Sequence, residues 1–234
     1  MNLGPFDELA FAGPEHLDPR YAAGYDRKAR LDPDEDVAVL RAHGLGAGST
    51  LLDLGAATGT FALAVASEAE RVVAVDPSPV MVAAAKAKAA ERRLTNAECV
   101  QAGFLTYEHT GEPVDFVYSR HALHHLPDFW KAIALERVAA LLRPGGVFRL
   151  RDIVFACEPD EAEAVAVAWL DTAAPSPDVG WTRRELETHL RDEHSTFTWL
   201  LEPMLARAGF AIEQADYDPL RVYAAYLCVR RQQP

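Results

Sequence analysis

One segment constrains this chain more than any other: Thr50-Leu51-Leu52-Asp53-Leu54-Gly55-Ala56-Ala57-Thr58-Gly59. A short apolar run that stops at glycine suits a strand buried on both faces of a sheet. The following residues, Phe61 to Ser67, suit a helix. Gly55 and Gly59 let the backbone reach positive φ and approach a ligand closely, because neither carries a Cβ. A helix that starts behind them offers free N–H groups to a polar or anionic group. Such a turn needs a parallel sheet around it.

The rest of the chain supplies that sheet. Asp34 to His43 reads as a helix stopped by Gly44. Further buried strands are expected at Arg71 to Asp76, Ala97 to Gln101 and Val114 to Tyr118. A fifth is expected at Val147 to Phe155, after the turn Gly145-Gly146. Helices over Pro79 to Arg92 and Asp128 to Leu142 alternate with them. This alternation predicts an α/β fold, a doubly wound and mostly parallel sheet with helices on both faces. The late part breaks the rhythm. Pro159 to Leu170 reads as an acidic helix. Thr182-x-x-Glu185 has the spacing of a capping box, which starts a helix near Arg183. Thr196 to Ala208 reads as a helix stopped by Gly209. Phe210 to Tyr217 and Val222 to Arg230 are expected to pair as an antiparallel hairpin, giving seven strands in all.

A chain of 234 residues buries a core without disulfide or metal staples. With 23 Lys and Arg against 35 Asp and Glu, the formal charge is −12. That balance argues against nucleic acid and against an anionic membrane surface as partners. Cys99, Cys157 and Cys228 are an odd set without short spacings, so neither a disulfide framework nor a zinc ribbon is indicated. The N-terminal segment lacks the basic and apolar regions of a signal peptide, and no window suits a membrane helix. A cytoplasmic location is the expectation. Oligomeric state is left open.

Asp76 ends the second strand, where a carboxylate accepts hydrogen bonds from the 2′ and 3′ hydroxyls of a ribose. The dinucleotide pattern G-x-G-x-x-G is absent, since the spacing here is G-x-x-x-G. A pyrophosphate sits badly beside Asp53, whereas a sulfonium ligand with a protonated amino group does not. The charge of Asp53 therefore favours S-adenosylmethionine over a nicotinamide dinucleotide.

Four segments, taken in order, resemble the class I S-adenosylmethionine-dependent methyltransferases. They are LLDLGAATGTFAL at 51–63, VVAVDPSPVMV at 72–82, VDFVYSRHALHHLPD at 114–128 and LLRPGGVFRLRD at 141–152. Tyr21-Ala-Ala-Gly-Tyr25-Asp26 resembles the Y-x-x-x-Y-D segment that many members place over the cofactor. The resemblance implies a Rossmann-like methyltransferase fold in one domain. Residues 1–48 form an N-terminal helical cover, 49–155 the cofactor-binding core, 156–194 a helical insertion or lid, and 195–234 the last helix and hairpin. It implies that Asp53, Gly55, Ala56 and Gly59 line the methionine part of the cofactor. Asp76 then binds the ribose and Pro77 and Ser78 lie beside the adenine, with Tyr21, Tyr25, Phe104 and Ser119 also in the cofactor set. Two departures stand out. Ala57 replaces the family's usual middle glycine, and Gln101-Ala102-Gly103-Phe104 lacks the acidic residue often found after the third strand.

His121, His124 and His125 follow the fourth strand. Their i, i+3, i+4 spacing suggests a metal, but H-H-L-P is common here in family members without one. No carboxylate spacing completes a ligand set, so no metal is expected. His121 is read as a substrate or cofactor contact, or as a general base near neutral pH. His124 and His125 are read as structural residues bonded to backbone, or as substrate contacts. Arg120 and Arg151 serve either a substrate carboxylate or an ion pair with a nearby acid. Trp181 either walls an apolar substrate or, with Trp169, fastens the insertion to the sheet. Tyr223 is a rim candidate or a core residue.

The expected function is S-adenosylmethionine-dependent methyl transfer to a small-molecule acceptor. The alternative is a protein that binds the same cofactor as a sensor, a partner-binding module or the catalyst of another reaction.

Overall fold

The computed structural model describes residues 7–232. The chain opens with α1 (Glu8–Phe11), a 3-10 turn (Pro14–Leu17), α2 (Pro19–Ala29) and α3 (Asp34–Ala42). Asp18 starts α2 by accepting from the Arg20 N–H at 2.8 Å, with Pro19 fitting the first turn. Alternating strands and helices follow: β1 (Thr50–Leu54), α4 (Thr60–Val65), β2 (Arg71–Asp76), α5 (Pro79–Glu91), β3 (Ala97–Gln101) and β4 (Val114–Arg120). A 3-10 turn (Leu123–His125) leads to α6 (Asp128–Leu141) and β5 (Leu142–Phe155). Next come α7 (Ala162–Leu170) and α8 (Arg183–Asp192), and β6 (Thr196–Phe197), α9 (Thr198–Arg207), β7 (Phe210–Tyr217) and β8 (Tyr223–Arg230) complete the fold. The expected capping box starts α8, where the Glu185 carboxylate accepts from the Thr182 N–H at 2.8 Å.

The sheet runs β3-β2-β1-β4-β5-β8-β7, all in one direction except β8, which lies antiparallel between β5 and β7. Strand alternation sorts its side chains between two cores. Leu52, Leu54, Val73, Val75, Val117, Phe148 and Leu150 pack with Leu135 and Val138 of α6 and Leu201 and Leu205 of α9. Their neighbours Leu51, Val72, Ala74, Phe116 and Val147 pack on the other face with Leu40 of α3 and Phe61 and Val65 of α4. Burying each such side chain stabilises the fold by about 1.5–3 kcal/mol before entropy is counted. A third, smaller cluster of Phe155, Val165, Trp169, Leu186 and Val222 lies under the insertion. No described helix is long and apolar enough to cross a membrane.

Three details differ from the sequence expectation. β4 continues to Arg120, and β5 starts at Leu142, running through the two glycines instead of turning at them. Leu142 pairs with Val114 there, and the register then shifts before Phe116. The two-residue β6 pairs parallel with Val154 and Phe155 of β5, a strand too short to leave a period. The sheet reverses direction between β1 and β4, and the carboxyl ends of strands at such a switch leave a crevice for ligands.

Candidate active site

The chain leaves β1 at Leu54 and turns through Gly55, Ala57 and Gly59 at φ of 78°, 47° and 78°. A Cβ on Gly55 would lie 2.2 Å from the Ala122 Cβ, so only glycine fits. Ala57 holds a left-handed conformation despite its methyl, which costs an L-residue about 1–2 kcal/mol.

Two buried carboxylates flank the turn. Asp53 is 2% exposed, and burial pushes its pKa up to about 8. Asp76 accepts from the Ala57 N–H at 2.8 Å and the Ser78 N–H at 2.9 Å. Burial outweighs these two bonds and lifts its pKa to about 6. The pair therefore sits in a place where a positive ligand, or hydroxyl donors, would restore its charge.

Two cavities meet at the turn and share Tyr25, Gly55, Ala57 and His121. One, of about 540 Å³, is lined by Asp53, Ala56, Thr58, Phe61 and Arg120. The other, of about 580 Å³, is lined by Asp76, Pro77, Phe104, His125 and Leu126. Tyr25 thus stands between them, on a helix anchored by the next residue. Asp26 bonds the Thr58 hydroxyl and the Lys88 ammonium, and accepts from Thr60 Oγ1 at 3.0 Å. Glu8 lines the second cavity and accepts from the Leu105 N–H at 3.1 Å and Thr106 Oγ1 at 2.9 Å. Sequence inspection missed it, because this carboxylate reaches Leu105, just after the Gly103-Phe104 segment, from 97 residues away.

His121 and Arg120 also border a third, open cleft of about 1250 Å³ with Arg149, Arg151, Tyr217 and Tyr223. His121 has φ of 50°, faces the Tyr223 ring at 5.6 Å, and has a buried Nδ1 with no hydrogen-bond partner among the described residues. Strain in a non-glycine residue beside a ligand crevice marks a constrained site. Burial drives its pKa down to about 3, against the pull of Asp152.

The arginines resolve towards an internal acid. Asp36, fully buried on α3, accepts from Arg149 Nε at 2.9 Å, Tyr118 Oη at 2.9 Å and Arg151 Nη1 at 3.2 Å. Arg151 also bonds Glu35 at 2.8 Å, whereas Arg120 stands 3.9 Å from Asp36 and is the looser cation. Arg149 Nη1 has no hydrogen-bond partner among the described residues.

Other expected site residues fall elsewhere. Ser78 is fully buried and spends its hydroxyl capping α5 at Met81 and bonding the His16 carbonyl at 2.6 Å. Gly59 lines none of the three cavities; a Cβ there would lie 3.1 Å from Ala85, so it lets α4 approach α5. Tyr21 packs 5.3 Å from His16, behind Tyr25, and Ser119 is fully buried at the end of β4. Trp181 also lies away from the cavities, 38% exposed, with the Lys28 ammonium 4.3 Å over its ring. It fastens the insertion to α2, aided by the Lys28–Glu185 ion pair. Tyr223 accepts from Trp169 Nε1 at 3.1 Å. His124 is not bonded to backbone through its ring: it lies between the carboxylates of Asp152 and Glu193. Burial opposes its charge, but these two acids prevail and raise its pKa to about 9. His125 lines the Asp76 cavity, not the open cleft.

A doubly wound sheet with a crevice at its switch point, a glycine turn and buried acids at the ends of β1 and β2 is a Rossmann-like fold. Known proteins narrow this. Residues 51–146 match the family described as Methyltransferase domain. An uncharacterized methyltransferase of Geobacillus kaustophilus is 32% identical over 133 residues, 57% of this chain and 55% of that protein. One of Geobacillus thermodenitrificans is 29% identical over 196 residues, 84% of this chain and 80% of that protein. The chain thus spans about half the length of the first and most of the second. The crystal structure of a SAM-dependent methyltransferase from Aquifex aeolicus shares the fold, with TM-score 0.62, 19% identity, and coverage of 91% of this chain and 98% of that one. Over residues 51–146 the chain is thus similar to methyltransferase domains, and its fold is that of S-adenosylmethionine-dependent methyltransferases.

Proposed function

We propose that the protein transfers a methyl group from S-adenosylmethionine to a small-molecule acceptor. One observation carries this reading: the buried acids Asp53 and Asp76 flank a turn that bounds two adjoining cavities. When bound, the cofactor supplies an electrophilic methyl group on a sulfonium.

The protein's own part is placement. Asp53, Gly55 and Ala56 hold the charged methionine end, and Tyr25 closes over it with Tyr21 behind. Asp76 takes the ribose hydroxyls, each of its oxygens keeping a lone pair beyond its backbone bond. Pro77, Phe104 and Glu8 bound the adenine end, so Glu8 stands in for the acid missing after β3. Gly59, Ser78 and Ser119 support this pocket from behind, and His125 forms part of its wall. His121 and Arg120 stand where the cofactor cavities meet the open cleft, and so face the acceptor. Arg151 and Tyr223 form the cleft's wall. His124 and Trp181 act by fixing the insertion, residues 156–194, and the N-terminal cover, residues 1–48, around the core.

Alignment and exclusion of water supply much of the acceleration in such a transfer. A neutral His121 fits that role as a hydrogen-bonding wall. The acidic charge and a cleft bounded by the insertion-linked Tyr223 favour a small acceptor over nucleic acid. The free cysteines Cys99, Cys157 and Cys228 accord with a reducing cytoplasm.

Calorimetry with S-adenosylmethionine tests the reading. Wild type binds, and Asp53→Ala weakens binding about a hundredfold, roughly the loss of a charge-assisted contact. Label from the cofactor then moves into a small molecule of a metabolite extract. Unchanged affinity in Asp53→Ala overturns the site assignment. Binding without turnover on any acceptor favours a sensor or partner-binding module.

A further inference from the structure

Behind the cofactor cavity lies a cluster of which only His125 reaches the cavity wall. His124 and His125 stand on the 3-10 turn after β4, and His189 and Glu193 stand at the end of α8. Glu193 Oε2 lies 2.9 Å from His124 Nε2 and 4.0 Å from His125 Nδ1, and it contacts His189 Nδ1. The donor atoms of His124, His125 and Glu193 all lie within 4.8 Å of one another. Two of the rings are fixed from behind. Asp152 bonds His124 Nδ1, and Ser195 Oγ lies 2.7 Å from His189 Nε2. Each ring thereby aims its remaining nitrogen at Glu193. Metal-ligating histidines are oriented in this way, by a carboxylate or hydroxyl on the nitrogen away from the metal. His125 Nδ1 is buried and has no hydrogen-bond partner among the described residues, an arrangement that costs about 1–3 kcal/mol unless something occupies the gap.

We propose that His124, His125 and Glu193 bind one divalent transition-metal ion, with zinc the best match. Two imidazoles and a carboxylate, with a water, are a nitrogen–oxygen donor set that zinc takes in tetrahedral geometry. Bonds of about 2.0–2.2 Å put tetrahedral ligand atoms roughly 3.3 Å apart. His124 Nε2 and His125 Nδ1 straddle that separation from Glu193, so shifts below about 1 Å close the site. The protons that now bridge the imidazoles and Glu193 pass to solvent as the ion takes their place. With three protein ligands and a water in the fourth position, the ion is held by both segments while His189 positions Glu193. It ties the end of the insertion to the turn beneath the cofactor cavity, which His125 lines. This proposal does not depend on the methyl-transfer reading.

The test uses full-length protein stripped with a chelator, then titrated with zinc by calorimetry and with cobalt(II) by visible spectroscopy. The expected result is one ion per chain at sub-micromolar affinity, with the strong visible bands of four-coordinate cobalt and a zinc-dependent rise in Tm. Glu193→Gln and His125→Phe weaken zinc at least tenfold. Asp152→Asn weakens it about 10–100-fold through His124 alone. Circular dichroism checks that each variant folds; where one does not, the wild-type cobalt spectrum decides. No saturable binding by folded wild type, six-coordinate cobalt bands, or unchanged affinity in folded Glu193→Gln each overturns the proposal. Calorimetry with S-adenosylmethionine on the stripped protein separates this outcome from failure of the cofactor site.

Discussion

The carboxyl ends of β1 and β2 and those of β4 and β5 form two halves of one crevice, and they are built differently. At β1 and β2 the acid beside the turn is satisfied by near neighbours in sequence or in the sheet: Asp76 bonds the Ser78 N–H and, from the adjacent strand's turn, the Ala57 N–H. At β4 and β5 the partners come from far along the chain. Asp36 reaches Arg149 across 113 residues, and Asp152 reaches His124 across 28. The first half is a short segment whose conformation is nearly its function. The second is an electrostatic assembly that exists only once the chain has folded, so its contribution to stability and its contribution to the site are inseparable.

Substitutions break this comparison most sharply where a buried charge loses its partner. Asp36→Ala leaves Arg149 charged and 2% exposed, with Tyr118 also unpaired. Denaturant unfolding should show a loss of about 3–5 kcal/mol, the usual cost of orphaning a buried charge. A loss below about 1 kcal/mol would place water beside Arg149 and dissolve the contrast. In the local half, Gly55→Ala meets both a φ of 78° and the 2.2 Å approach to Ala122. Together these should cost about 3 kcal/mol and reduce cofactor binding, measured by the shift in Tm and by calorimetry.

Titration sharpens the comparison further. Burial holds the Asp53 carboxyl near a pKa of about 8, so below that pH the free protein carries it protonated. A cationic ligand needs the ionised form. Its affinity should therefore fall with decreasing pH, by up to about tenfold per unit below pH 8, as the proton competes. Calorimetry from pH 8 to pH 6 should show this slope in wild type, and Asp53→Asn should flatten it. The smallest effect is a gain. Ala57→Gly relieves a left-handed alanine at φ of 47° and should stabilise the protein by about 1 kcal/mol, less the flexibility that glycine adds to the unfolded chain.

By itself the sequence determined the alternating fold, the succession of strands and helices along the chain, the glycine turn and the two acids beside it. Arg71–Asp76, Ala97–Gln101 and Phe210–Tyr217 appear as strands at the expected residues. These features are local: apolar runs, caps and glycines act over a few residues, so their spacing carries them. Tertiary structure alone decided which charges meet. It made Ser78 a cap, set Trp181 under Lys28, lowered the pKa of His121 by burial and brought Glu8 to the segment after β3. It also supplied the carboxylate whose absence from the local spacing argued against a metal, since Glu193 lies 69 residues after His124 and reaches it only when the insertion folds back on the sheet. Spacing along the chain does not record such meetings, because burial and Coulomb interactions depend on distance in space.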